Sequence, residues 1–83
     1  MGDVPNWAVG TFTGRNPRTG GAMGISIDRS GRLTADLEGT IAYGSVYRTR
    51  LTINGQSAEI TRLSNGVRTR NVVTGETIDY FRR

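Results

Sequence analysis

Leu51-Thr52-Ile53-Asn54-Gly55-Gln56-Ser57-Ala58-Glu59-Ile60 carries the clearest structural instruction in the chain. Asn-Gly readily supplies positive φ at both central positions of a type I′ turn, whose twist matches that of the strands it joins. With Asn54 and Gly55 in those positions, Ile53 faces Gln56, Leu51 faces Ala58 and Arg50 faces Glu59. One side of the hairpin is then apolar, and the other sets an arginine against a carboxylate. Such a cross-strand pair contributes roughly 0.2–1 kcal/mol.

The reading extends in both directions. Asn65-Gly66 repeats the turn signal, and Thr74-Gly75 supplies a third reversal that would set Arg70 against Asp79, Thr69 against Tyr80 and Asn71 against Ile78. Upstream, Ser30-Gly31 marks a turn, with weaker ones at Glu38-Gly39 and Gly44-Ser45. The runs between give eight strands: Trp7 to Thr13, Ala22 to Asp28, Arg32 to Leu37, Thr40 to Tyr43, Val46 to Ile53, Gln56 to Leu63, Val67 to Val73, and Glu76 to Arg82. No window sustains a helical period, so at most a single helical turn is expected between strands. Pro5 and Pro17 fall outside the runs, as a residue lacking an N–H should. Arg48-Thr49-Arg50 with Gly55-to-Glu59 is echoed 20 residues on by Arg68-Thr69-Arg70 with Gly75-to-Asp79, which suggests one hairpin used twice.

These runs predict an all-β fold: a small antiparallel up-and-down meander of eight short strands, closed or nearly closed into a barrel, with residues 1–83 forming one domain. Closure removes the exposed edges that such strands would otherwise present. Alternation assigns Trp7, Val9, Met23, Ile25, Ile27, Leu33, Ala35, Leu37, Ile41, Tyr43, Tyr47, Leu51, Ile53, Ala58, Ile60, Val67, Val73, Ile78 and Tyr80 to the interior. An eight-stranded barrel is filled by side chains or holds one small ligand, and strands this short favour filling.

Composition narrows the chemistry. The 83 residues contain neither cysteine nor histidine, so there is no disulfide, no thiolate nucleophile and no imidazole base or ligand. The carboxylates, Asp3, Asp28, Asp36, Glu38, Glu59, Glu76 and Asp79, form no evident catalytic or metal-binding group, and no enzyme activity, metal site or cofactor is expected. No run approaches the roughly 20 apolar residues of a membrane helix. Met1 to Pro5 lacks the basic start and apolar core of a secretion signal, which leaves the cytoplasm as the default location.

All eleven positive residues are arginine, and the net charge is +4. Arg48, Arg50, Arg68 and Arg70 are expected on one sheet face, with Arg15 and Arg18 on the long glycine-rich connection Gly14 to Gly21. That face, or a leftover strand edge near Thr40 to Tyr43, makes a protein partner or self-association the leading expectation. Nucleic acid is a lesser one, with Phe81 the outward aromatic beside Arg68.

Trp7-Ala8-Val9-Gly10-Thr11-Phe12 near the start and Arg82-Arg83 at the end resemble the calycin barrels, the avidin and lipocalin group. Those barrels open on a Trp-bearing strand followed by a glycine and an aromatic, and often pack an arginine from the last strand over the tryptophan. The match spans about ten residues; Pro5 stands where the family has glycine, and this chain is much shorter. The resemblance implies a pocket for a small molecule, and it transfers no ligand residue. The side chains that would line such a pocket are Trp7, Tyr43, Tyr47, Thr49, Thr69, Asn71 and Tyr80.

Overall fold

In a computed structural model of the chain, residues 3–83 are described; Met1 and Gly2, part of the signal-peptide reading, lie outside them. Eight antiparallel strands follow one another around a closed barrel: β1 (Gly10–Arg15), β2 (Ala22–Ile27), β3 (Arg32–Leu37), β4 (Thr40–Tyr47), β5 (Arg50–Ile53), β6 (Gln56–Leu63), β7 (Gly66–Asn71) and β8 (Thr77–Arg82). The barrel closes where β1 pairs with β8, Phe12 facing Arg82 and Gly14 facing Tyr80. Among the described residues no strand is left with an unpaired edge: β4 pairs with both β3 and β5, so the leftover edge expected near Thr40 to Tyr43 is absent.

The deciding hairpin forms as read, with Arg50 opposite Glu59, Leu51 opposite Ala58 and Ile53 opposite Gln56. Asn54 and Gly55 both take positive φ, +50° and +76°. Elsewhere the turns depart from expectation, each for a local reason. Gly44 lies within β4 because a Cβ there would strike the Thr52 carbonyl. The reversal falls instead at Arg48 and Thr49, between the paired Tyr47 and Arg50. Gly66 likewise belongs to β7, where a Cβ would strike the Tyr80 carbonyl; the turn before it occupies Ser64 and Asn65.

The largest correction concerns β7 and β8. The Asn71 Oδ1 accepts from the backbone N–H groups of Val73 and Thr74, and the Gly75 N–H donates to the Asn71 carbonyl. Together they build a five-residue loop, 72–76, in place of a two-residue turn. The register shifts accordingly: Arg68 faces Asp79, Thr69 faces Ile78, Val67 faces Tyr80, and Arg70 faces Thr77. Phe81 faces Gly66 rather than Arg68. Arg48-Thr49 is a turn while Arg68-Thr69 is strand, so the 20-residue echo has no structural counterpart.

Register also decides which side chains enter the barrel. The two-residue turn at Glu38 and Gly39 pairs Leu37 with Thr40 and Ala35 with Ala42. Directly opposed residues share a face. Ala42 and Val46 therefore go inward, while Ile41, Tyr43 and Tyr47, expected inside, stay exposed on the outer face. Val73 lies on the 72–76 loop and is 88% exposed. Asn6–Ala8 form a single 3₁₀ turn, so Trp7 is not on β1; Phe12 enters the core instead.

Candidate functional site

A meander barrel alternates its connections between two ends. The end with the 28–31, 48–49 and 64–65 connections is filled and closed. Phe12, Ile27, Leu33 and Val67 are fully buried, and the 3₁₀ turn packs against β6 and β7. Arg82 completes the seal: its guanidinium lies 4.7 Å from the Phe12 ring centroid and donates to the carbonyls of Val9 and Trp7 at 2.9 and 3.2 Å.

The opposite end is different. A cavity of about 230 Å³ enters the barrel beneath the connections 16–21, 38–39, 54–55 and 72–76. Met23, Ile25, Leu33, Ala35, Leu51, Ala58 and Ile78 line its walls, with Gln56, Asn71 and Glu76 also bordering it. Its origin is visible in side-chain size. Ala35 and Ala58 alternate inward where the closed end has Phe12, Val46 and Ile60, and no larger neighbour fills the difference.

Two polar side chains reach this apolar interior. Thr69 is buried, and its hydroxyl donates weakly to the Ile78 carbonyl at 3.5 Å. Tyr80 is 3% exposed and makes no side-chain hydrogen bond among the described residues. Among the described residues no fully buried side-chain polar atom lacks a partner, so the Tyr80 hydroxyl is not wholly sealed off, and Tyr80 lines the cavity. Burial pushes its pKa up to about 12, which keeps it a neutral donor at physiological pH.

Of the expected pocket residues, Thr69, Asn71 and Tyr80 border the cavity, whereas Trp7, Tyr43, Tyr47 and Thr49 do not. Asn71 spends its carbonyl oxygen on the 72–76 loop. The alternation of β3 and β6 placed Ala35 and Ala58 inside, but only the closed register reveals that nothing occupies the space beside them.

The mouth is framed by a tied loop rather than a loose one. Glu38 receives hydrogen bonds from Thr19 Oγ1 at 2.6 Å and Asn16 Nδ2 at 3.1 Å. Arg15 donates to the Gly20 carbonyl, and Arg18 pairs with Glu76 at 2.6 Å. Arg15 and Arg18 thus hold the β1–β2 connection in place. Of the expected arginine face, Arg50, Arg68 and Arg70 share the outer surface of β5 to β7, with Glu59 opposite both Arg50 and Arg70. Arg50 pairs with Glu59 and Arg68 with Asp79, whereas Arg48 sits in a turn over Tyr47.

Those pairs have a measurable pH signature. The Arg50 hydrogen bond holds Glu59 below the usual 4.5, the Arg68 hydrogen bonds hold Asp79 below 3.8, and the Ser30 hydroxyl does the same for Asp28. A carboxyl whose pKa is lower folded than unfolded stabilises the fold above its unfolded value, and loses that contribution as pH falls through its folded value. Melting temperature should therefore hold steady down to about pH 5 and fall below about pH 4. Asp79→Asn should reduce the acid-side decline in thermal melts; an unchanged decline would contradict the pairing.

The fold and cavity define a class: a closed eight-stranded meander barrel with one sealed end and one open, apolar interior. No family model, curated protein or solved structure matches the chain. Among the described residues no three His, Cys, Asp or Glu side chains converge as a metal site, and no helix is long and apolar enough to cross a membrane.

Proposed function

We propose that this protein is a non-enzymatic binding module that takes a small, mainly apolar molecule into the open end of its barrel, as the calycin resemblance implies. The observation that carries the reading is the cavity walled by aliphatic side chains, with Tyr80, whose hydroxyl has no side-chain partner among the described residues, in its lining. Binding pockets combine apolar walls with a few placed polar groups in this way. The volume lies below the ~300–1,000 Å³ of drug-sized sites, so the ligand is smaller than those. Its polar end is a hydrogen-bond acceptor that meets Tyr80, and its apolar part lies along Ile25, Leu33 and Leu51.

A library of fragments, each carrying a short alkyl or aryl group and one carbonyl or ether, tests the reading by thermal shift and by NMR of isoleucine and leucine methyls. Members should raise the melting temperature and move the Ile25, Leu33 and Leu51 signals. Tyr80→Phe should weaken them by about tenfold, the equivalent of one hydrogen bond of about 1.4 kcal/mol. Ala58→Phe, which fills the entrance, should abolish the effect while the barrel still folds. A library without hits, or hits indifferent to both substitutions, would overturn the proposal.

The interaction-module expectation is supported, besides the shared face of Arg50, Arg68 and Arg70, by the outer face of β4. Ile41, Tyr43 and Tyr47 stand there 51, 71 and 59% exposed. On this second reading the occupant is another copy of the chain, and sizing would show a dimer that Tyr43→Ser and Tyr47→Ser dissociate. A monomer at all accessible concentrations would remove it.

A further inference from the structure

The formal charge of the chain is divided unevenly between the two ends of the barrel. At the open end, Arg15, Arg18 and Arg70 are matched by Asp36, Glu38 and Glu76. On the flank, Arg50 with Glu59 and Arg68 with Asp79 are neutral pairs. What remains lies at the sealed end: Arg29, Arg32, Arg48, Arg62, Arg82 and Arg83 against Asp3 and Asp28. The excess there equals the whole net charge of +4.

The distribution within that end also matters. Arg29 lies in the β2–β3 connection, Arg48 in the β4–β5 turn, Arg62 beside the β6–β7 turn and Arg83 beyond β8. The meander therefore sets one arginine at each of four successive corners of the rim. All four are exposed, and none makes a side-chain hydrogen bond or ion pair among the described residues. Asp28, the nearest acid to Arg29, is already engaged by Ser30 and by the Arg32 backbone N–H.

We infer that the sealed end of the barrel is a binding surface for single-stranded nucleic acid. Guanidinium groups bind phosphate through paired donors, and four spaced around a rim follow a flexible backbone without needing a groove. Tyr47 adds a face on which a base can stack: it is 59% exposed, and the Arg48 guanidinium lies 5.3 Å from its ring centroid. An anionic membrane is the poorer partner, because Tyr47 and Phe81 are the exposed large apolar side chains described at this end and no exposed aliphatic anchor accompanies them. The surface is separate from the cavity, and either proposal can fail alone.

Fluorescence anisotropy of a labelled oligothymidylate of about 16 nucleotides, titrated with the protein across ~50–200 mM salt, tests the inference. Four phosphate contacts predict a slope of log affinity against log salt of about −3. The combined variant Arg29→Gln, Arg48→Gln, Arg62→Gln and Arg83→Gln should lose binding and flatten the slope toward zero, and each single substitution should lower it by about 0.7. Arg70→Gln, at the open end, should leave slope and affinity unchanged. Tyr47→Ala should weaken binding without altering the slope. The inference is overturned by an absence of binding at the lowest salt, by equal losses from Arg70→Gln and the rim variants, or by binding to phosphatidylserine vesicles in place of the oligonucleotide.

Discussion

Phe12→Ala should remove about 3–5 kcal/mol of stability, the cost of deleting a fully buried aromatic ring. A chain of 83 residues has about 4–12 kcal/mol in total, at the usual stability per residue, so much of the population would unfold. The ring does two jobs. It fills the sealed end, where it is fully buried, and it is the platform on which Arg82 lies before reaching the Trp7 and Val9 carbonyls. Removing it opens a void and leaves the arginine that ties the N-terminal turn to the last strand without support. Phe12→Leu keeps most of the packing and should cost less, which separates volume from the ring face. Urea denaturation of both variants measures the difference. A loss under about 1 kcal/mol for Phe12→Ala would mean the ring is not in the core.

Tyr80 yields the second large effect, at the alkaline side. Its folded pKa of about 12 lies above the ordinary 10.0 because burial disfavours the phenolate. A group raised in the folded state contributes stability in full below its unfolded pKa and loses it as pH rises toward the folded one. Stability should therefore fall by about 1.4 kcal/mol per pH unit between about pH 10 and pH 12, and Tyr80→Phe should abolish that part of the decline. Chemical denaturation across this window, on both proteins, gives the comparison. Identical alkaline profiles would place the hydroxyl in water rather than at the barrel interior.

The sequence made strand number, order and closure legible because turn chemistry is local. Asn54-Gly55 and Glu38-Gly39 both take positive φ, and each sets the register of its hairpin. What it concealed were glycines serving a different purpose. Gly44 and Gly66 read as turns but are strand positions where a neighbouring backbone leaves no room for a Cβ, a demand known only once the strands are side by side. The turn at Arg48 had no glycine, asparagine or proline to announce it, and an arginine at φ +57° is not foreseeable from propensity. In β4, alternation counted from the bulky Ile41 and Tyr43 puts those two inside, whereas the Glu38-Gly39 turn pairs Ala35 with Ala42 and so sends Ala42 inside and Ile41 and Tyr43 outside. At the site, alternation found Thr69, Asn71 and Tyr80. The cavity itself was out of reach, because it depends on the summed volume of side chains from strands far apart in sequence, and Ala35 and Ala58 look like ordinary core positions.

Xenon diffused under pressure into crystals of the protein examines the interior most directly, since xenon settles in open apolar space. The account predicts a xenon atom inside the barrel, bounded by Ile25, Leu33, Leu51 and Tyr80. Unperturbed density with Met23 and Ile78 folded across the space, and no xenon there, would contradict it.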